Sequence, residues 1–142
     1  MHVPHSLLGM DGIVVAAAIV RDSRVLAQQR SRPATVAGKW ELPGGTVERG
    51  ESDLQALVRE CREELGVLVV PGRRVGPDVK LPGGRLLRVY AATLAGDAGP
   101  PRPHEHAALR WISAAQLDEL DWLDTDRELL PDLRELLVLT GS

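Results

Sequence analysis

The sequence predicts an α/β domain in which a mixed sheet lies between helices. Three observations predict it. Near the start, Gly12 to Arg21 is an almost unbroken run of Val, Ile and Ala, the composition of a strand buried on both faces. In the middle, Asp53 to Leu65 carries a helical apolar period between two recognisable ends. Further strand-like segments follow, and an amphipathic segment near the end supplies a helix for the other side of the sheet.

Taken in order, Met1 to Met10 reads as a loose leader, and residues 11–142 as a single domain without linker, repeat or low-complexity segment. After the strand from Gly12, the Asp22-Ser23 turn leads into Arg24 to Gln29 as its hairpin partner. Trp40 to Glu48 contains Pro43-Gly44-Gly45, and paired glycines let backbone approach a ligand closely because no Cβ stands in the way. Ser52 with Gln55 three residues later forms a capping-box pattern, and Gly66 stands where a left-handed residue would end the helix. At about 100° per residue, Leu54, Leu57, Val58, Cys61 and Leu65 form an apolar stripe, with Ala56, Glu60, Glu63 and Glu64 on a neighbouring one.

Strands are then expected at Val67 to Val70, Val75 to Leu81, Arg85 to Leu94 and Leu109 to Ile112, the middle two joined by a Pro82-Gly83-Gly84 turn. Ser113 and Gln116 repeat the capping-box pattern and start a short helix ending near Leu120. A last helix, with Leu129, Leu130, Leu133, Leu136 and Leu137 as its apolar set, is expected from near Asp126, with an irregularity at Pro131.

Composition narrows the function classes. The 142 residues are 44% hydrophobic and 26% charged, enough for one domain with a real core, and ten prolines and fourteen glycines suit a fold with many turns. A net charge of −3 offers no general basic surface, so polymeric nucleic acid is not an expected partner. One cysteine excludes an intramolecular disulfide. The apolar run from Gly12 to Val20 is too short to span a membrane and lacks the basic lead of a signal peptide, so the expected location is the cytoplasm, with no membrane partner. Monomer and homodimer both remain open.

The chemistry concentrates between Gly45 and Val67, where Gly45, Glu51, Arg59-Glu60-Cys61, Glu63-Glu64 and Gly66-Val67 recur at close spacing. Glu60, Glu63 and Glu64 crowd onto one side of one helix turn. Carboxylates that close repel one another and call for divalent cations, and hard cations with oxygen ligands point to phosphate chemistry. A solvated acidic helix face is the plain alternative.

This run resembles the signature of the Nudix hydrolases, G-x5-E-x7-R-E-U-x-E-E-x-G-U with U apolar, with every required position filled and Cys61 an uncommon filler at the first U. Gly12 to about Val138 resembles the MutT-like branch in its order of strands, so the likeness implies the Nudix α/β/α sandwich. It also implies that Glu60, Glu63 and Glu64, with the Gly45 carbonyl, bind Mg2+ or Mn2+, and that Glu51 and Arg59 pair and orient Glu60. Glu105, in His104-Glu105-His106, matches the later acidic residue that completes the metal shell or activates water in that branch. A surface glutamate, or a zinc pair made by His104 and His106, are the alternatives there.

The activity so implied is hydrolysis of a nucleoside triphosphate to monophosphate and pyrophosphate, with attack at the β-phosphorus, Glu60 or Glu105 as base and Arg30 on a phosphate. Asp126 takes the place of the base-reading residue at the start of the last helix. A carboxylate there suits an amino edge such as that of cytosine, so CTP, dCTP and 5-substituted dCTP are expected beside oxidised nucleotides such as 8-oxo-dGTP. A plain helix N-cap is the alternative for Asp126. Glu41 helps fix the base pocket or pairs with a neighbour. Trp40 and Trp122 stack on the base or pack in the core, where Trp111 is also expected. Thr46 departs from the Lys often found after the paired glycines. A nucleoside diphosphate sugar hydrolase of the ADP-ribose type, suggested by Pro82, and a non-catalytic ligand sensor are the other function classes.

Overall fold

A computed structural model describes residues 12–96 and 99–140. The leader expected at residues 1–10 lies outside the described residues. β1 (Ile13–Arg21) runs through the middle of the sheet. It pairs in parallel with β6 (Leu86–Leu94), from Ile13 opposite Leu86 to Ile19 opposite Ala92, and antiparallel with β4 (Gly44–Thr46). With both edges paired and both faces covered, Val15 to Ile19 are at most 4% exposed, so every side chain there must be apolar.

β1 turns through Asp22 and Ser23 into β2 (Arg24–Gln29). Both turn residues have positive φ, 52° and 62°, the conformation whose twist matches a tight hairpin. β2 pairs antiparallel with β3 (Trp40–Glu41) and with β7 (Ala108–Ser113). β5 (Val69–Lys80) pairs antiparallel with β6 and forms the outer edge, giving the path β3-β2-β1-β6-β5, with β4 attached to β1 and β7 to β2.

Two strands expected at Val67 to Val70 and Val75 to Leu81 are thus one. The register shifts between Pro71 and Arg74 and again between Val75 and Val79, so the strand crosses Pro71-Gly72 and Gly76-Pro77 by irregular pairing. An edge strand tolerates this because proline's missing N–H faces no ladder partner. β3 and β4 were not anticipated as strands. Pro82–Gly84 forms the expected connection, as a 3-10 turn between β5 and β6.

The helix α1 (Asp53–Leu65) has the expected bounds and ends. Gln55 N–H donates to Ser52 Oγ at 3.1 Å, Ser52 N–H donates to Gln55 Oε1 at 2.9 Å, and Gly66, at φ 70°, donates its N–H to the Arg62 carbonyl. Its buried residues are Ala56, Leu57, Cys61 and Leu65, packed on Val15, Ala17 and Ile19 of β1. The expected stripe is corrected on one side: Leu54 is 42% exposed and Ala56 wholly buried. The helix turns its smallest side chain to the sheet, which lets its axis come close. Glu60 and Glu64 lie one and two turns beyond Ala56 on the same line and so are drawn in beside β4.

The other face carries a 3-10 segment (Ala114–Glu119), a short helix α2 (Asp124–Arg127) and α3 (Leu130–Thr140). Leu117, Trp122, Leu129, Leu133 and Leu137 pack there against Ala16, Ala18, Val25 and Val89. The Ser113 and Gln116 capping box is present. The last helix is divided after Arg127, and Pro131 falls in the first turn of α3, where a missing N–H costs no helical bond. No helix among the described residues is long and apolar enough to cross a membrane.

A Cβ built on Gly44 would lie 2.0 Å from the Val15 carbonyl oxygen in β1. Gly44→Ala is therefore expected to lower the unfolding free energy by about 2 kcal/mol or more, read from the urea midpoint, because β4 must part from β1.

Candidate active site

Arg59 is the hub of one half of the site. Its Nε and Nη2 donate to the two oxygens of Glu51 at 2.7 and 3.0 Å, its Nη1 donates to Glu60 at 3.1 Å and to Glu63 at 2.9 Å, and Nη2 reaches the Thr46 carbonyl. Glu48 stands 3.8 Å away. One guanidinium thus serves four carboxylates, and the cluster keeps an excess of negative charge. Hydrogen bonding to Arg59 holds the Glu51 carboxyl down at about 2, and Glu51 in turn raises Arg59. Glu60 moves the other way, because its burial outweighs Arg59.

Glu60 lies against Gly45. A Cβ on Gly45 would fall 2.2 Å from Glu60 Oε2, so only glycine leaves room for this carboxylate beside the strand. Glu64, one turn on, accepts the Gly44 N–H at 3.0 Å and a bond from Gln28 Nε2 at 3.3 Å. Burial pushes its carboxyl up to about 7 despite those two donors and nearby His106, and the Glu60 charge adds to the rise. The thiol of Cys61 is pushed up to about 12 by burial, which makes it an inert core group.

Glu105 arrives on a loop tied down at both ends. Arg102 N–H donates to the Leu65 carbonyl and His104 N–H to that of Glu64, while His104 Nδ1 donates to the Glu63 carbonyl at 2.6 Å. The loop thereby caps the carbonyl end of α1. Opposite, Ser31 Oγ donates to the Glu105 carbonyl at 2.8 Å and Ala107 N–H to that of Gln29. The Glu105 side chain itself is 79% exposed, 3.9 Å from Arg32. Glu60, Glu63, Glu64, His104 and Glu105 line a cavity of about 390 Å³. The zinc pair is not formed, since His104 holds α1 and His106 holds Glu41.

A second cavity, of about 250 Å³, is lined in part by Gly44 and shares Glu64 with the first. Arg30, Glu41, Asp126, Thr125 and Arg85 line it, and so do Gly44, Gly45 and Glu64. Glu41 is the hub here: it accepts from Arg30 Nη1 at 3.2 Å, from His106 Nε2 at 2.8 Å and from Gln28 Nε2 at 3.3 Å. Arg30 is therefore placed on Glu41, with its Nε on the Arg32 carbonyl. Asp126 is buried and does not cap a helix; α2 is preceded by Leu123, and the Asp126 Oδ2 instead accepts the Leu42 N–H at 2.9 Å. Burial pushes its carboxyl up to about 7, and the Glu41 charge adds to the rise. Trp122 is wholly buried with Nε1 donating to the Leu117 carbonyl, and Trp40 packs in the same core. Trp111 is half-buried under the Arg21 guanidinium.

Sequence reasoning missed buried Gln28 and the pairing of His106 with Glu41, and Thr125 and Arg85 in the second cavity. A polar Gln in a strand flanked by Val25, Leu26 and Ala27 was the one available signal. Among the described residues, no three acidic, histidine or cysteine side chains already converge as a ligand cage; Glu60 and Glu63 are turned to Arg59, and Glu64 to Gly44. The donor set nevertheless fits a hard cation, because it offers carboxylate oxygens in excess over positive charge beside a glycine that leaves them space.

The model described as the NUDIX domain matches residues 11–133. The chain belongs to the Nudix family. It is 48% identical over 131 residues to the Mycobacterium tuberculosis protein named "Putative 8-oxo-dGTP diphosphatase 2", a match covering 90% of this chain and 92% of that one. It is 40% identical over 117 residues to the Escherichia coli CTP pyrophosphohydrolase, covering 82% and 87%. The solution structure of the Escherichia coli ORF135 protein superposes with a TM-score of 0.76 at 37% identity, covering 92% and 93%. Nudix hydrolases generally use divalent metal cations.

Two outcomes follow from this geometry. In Gly45→Ala the new Cβ must displace Glu60, and the expected loss in kcat is about a hundredfold with an unchanged melting curve. Because the folded carboxyl of Asp126 titrates above its unfolded value, its protonation stabilises the fold below about pH 4, and that contribution is lost as pH rises through about 7. Wild-type protein should thus lose stability relative to Asp126→Asn across this window, as urea unfolding at several pH values will read.

Proposed function

We propose that this Nudix hydrolase splits (deoxy)nucleoside triphosphates into a monophosphate and pyrophosphate, using Mg2+ or, in its place, Mn2+. Its substrates are cytosine nucleotides such as CTP, dCTP and 5-substituted dCTP, or oxidised nucleotides such as 8-oxo-dGTP. The observation that carries this reading is the position of Glu64, which lines both cavities. A nucleotide spanning them sets its base at Glu41 and Asp126 and its polyphosphate at the acidic cluster.

In this reading Glu60, Glu63, Glu64 and the Gly45 carbonyl hold the cation, and Glu105 closes the cavity from its loop. When bound, the cation neutralises phosphate oxygens and lowers the pKa of a coordinated water. Glu60 takes the proton of the water that attacks the β-phosphorus; the bond from that phosphorus to the oxygen bridging to the α-phosphorus breaks, and the monophosphate leaves. Glu60 is favoured over Glu105 as this base because Arg59 and Gly45 hold it in place, whereas Glu105 stands exposed. Arg59 orients Glu60 and, with Glu51, braces the loop between β4 and α1. Arg30 lines the cavity while steadying Glu41, and Asp126 reads the base edge.

The two named relatives support both substrate classes, one being named for 8-oxo-dGTP and the other for CTP. Pro82, which suggested a nucleoside diphosphate sugar hydrolase, sits in the turn between β5 and β6 and needs no further role. We also propose residues 11–142 as one domain and the cytoplasm as the location, where the nucleotide pool lies.

Glu60→Gln and Glu64→Gln are each expected to lower kcat/KM by a factor of about 10² to 10⁴. Wild-type turnover in either would remove these assignments. In heavy-oxygen water the label should appear in pyrophosphate; label in the monophosphate would refute attack at the β-phosphorus. Release of the nucleoside monophosphate, the product common to all five, compared across CTP, dCTP, 5-methyl-dCTP, 8-oxo-dGTP and ADP-ribose ranks the substrates, and inactivity on all would favour a ligand sensor.

A further inference from the structure

We propose that Gln28 is a positioning residue that couples the base pocket to the cation-binding carboxylate, through one side-chain amide shared between Glu41 and Glu64. The inference rests on the assignment of Glu41 to the base and Glu64 to the cation made above.

Gln28 sits in β2, in register with Glu41 of β3, and is 0% exposed. Its Nε2 lies 3.3 Å from Glu41 Oε2 and 3.3 Å from Glu64 Oε1. An ionised carboxylate can only accept, so two of them beside one amide turn its nitrogen end inward. The amide oxygen is left without a partner among the described residues. An apolar side chain of similar volume at this position would leave both carboxylates without this donor. Here the burial serves the two contacts.

Both bonds start from the same nitrogen, and at 3.3 Å each is longer than the usual 2.9–3.0 Å of an N–H···O bond, so a shift of the amide toward one carboxylate changes its bond to the other. Glu41 has two further donors, Arg30 and His106, and Glu64 has the Gly44 N–H. Among the described residues, Gln28 alone bonds both carboxylates. A base that draws hydrogen bonding away from Glu41 therefore releases the amide toward Glu64 and settles that carboxylate. By linkage, cation binding then favours the base to the same degree.

The test uses a ligand that carries a base but no phosphate to bridge the cation. Mg2+ is titrated calorimetrically into the folded protein with and without saturating deoxycytidine or 8-oxo-deoxyguanosine. In wild type, one of these nucleosides is expected to lower the Mg2+ Kd about fivefold, the lower end of ordinary coupling, whereas in Gln28→Met the Kd should be the same with and without it. Gln28→Asn, which keeps the amide but withdraws it by one carbon, carries the same comparison should the Met variant not fold, with the shift again lost. A shift of equal size in the variants, or none in wild type with either nucleoside, overturns the inference and leaves the pyrophosphohydrolase reading standing. Absence of any Mg2+ or Mn2+ heat in wild type removes the reading of the acidic cluster itself, and the coupling with it.

Discussion

Close backbone approach at Gly44 and Gly45 is the constraint on which the rest of this molecule depends. A side chain at Gly44 would run into the β1 backbone, and one at Gly45 into the Glu60 carboxylate. β4 is thus held in the gap between the central strand and α1. Only in that gap can the Gly44 N–H reach Glu64 while the Thr46 carbonyl reaches Arg59. The short strand joins sheet to helix by polar contacts and lines the second cavity, while Glu64 lines both.

Electrostatics then divides the site into two kinds of carboxylate. Glu51 and Glu63 face Arg59 near solvent, and Glu51, most strongly bonded, stays ionised far into acid. Glu64 and Asp126 are enclosed, and burial favours their neutral forms. Placing a neutral-leaning carboxyl beside ionised ones is a way to keep several acids in a small volume. A cation would reverse the preference at Glu64, since an opposite charge nearby favours the ionised form. Asp126 lines the second cavity and not the acidic one, and its Oδ2 accepts the Leu42 N–H.

Much of this was legible in the chain. The bounds of α1 are set by Ser52, Gln55 and Gly66 alone, and the spacing of Glu60, Glu63 and Glu64 puts them on one side of the helix. The hairpin at Asp22-Ser23 and the turn at Pro82–Gly84 were legible for the same reason, that the interacting groups are near neighbours. Errors fell where distant pairing decides. Two strand segments became one β5 because β6 offers a partner along its whole length, and Ala56 rather than Leu54 faces the sheet because close packing prefers the smaller residue. Between the base-reading place and the alternative of a helix cap, local sequence could not choose for Asp126, because the group that takes it from the cap, the Leu42 N–H, lies 84 positions away.

The sequence by itself therefore determined the family signature, the helix that bears it and the first hairpin, since capping, helical periodicity and tight turns act over three or four residues. Only the tertiary structure decided that Glu64 lines two cavities, that His104 and His106 serve α1 and Glu41 separately, and that a buried Gln28 stands between Glu41 and Glu64. The reason is physical: these contacts join residues 13 to 65 positions apart, and their distances are set by sheet register and helix packing, which no local pattern encodes.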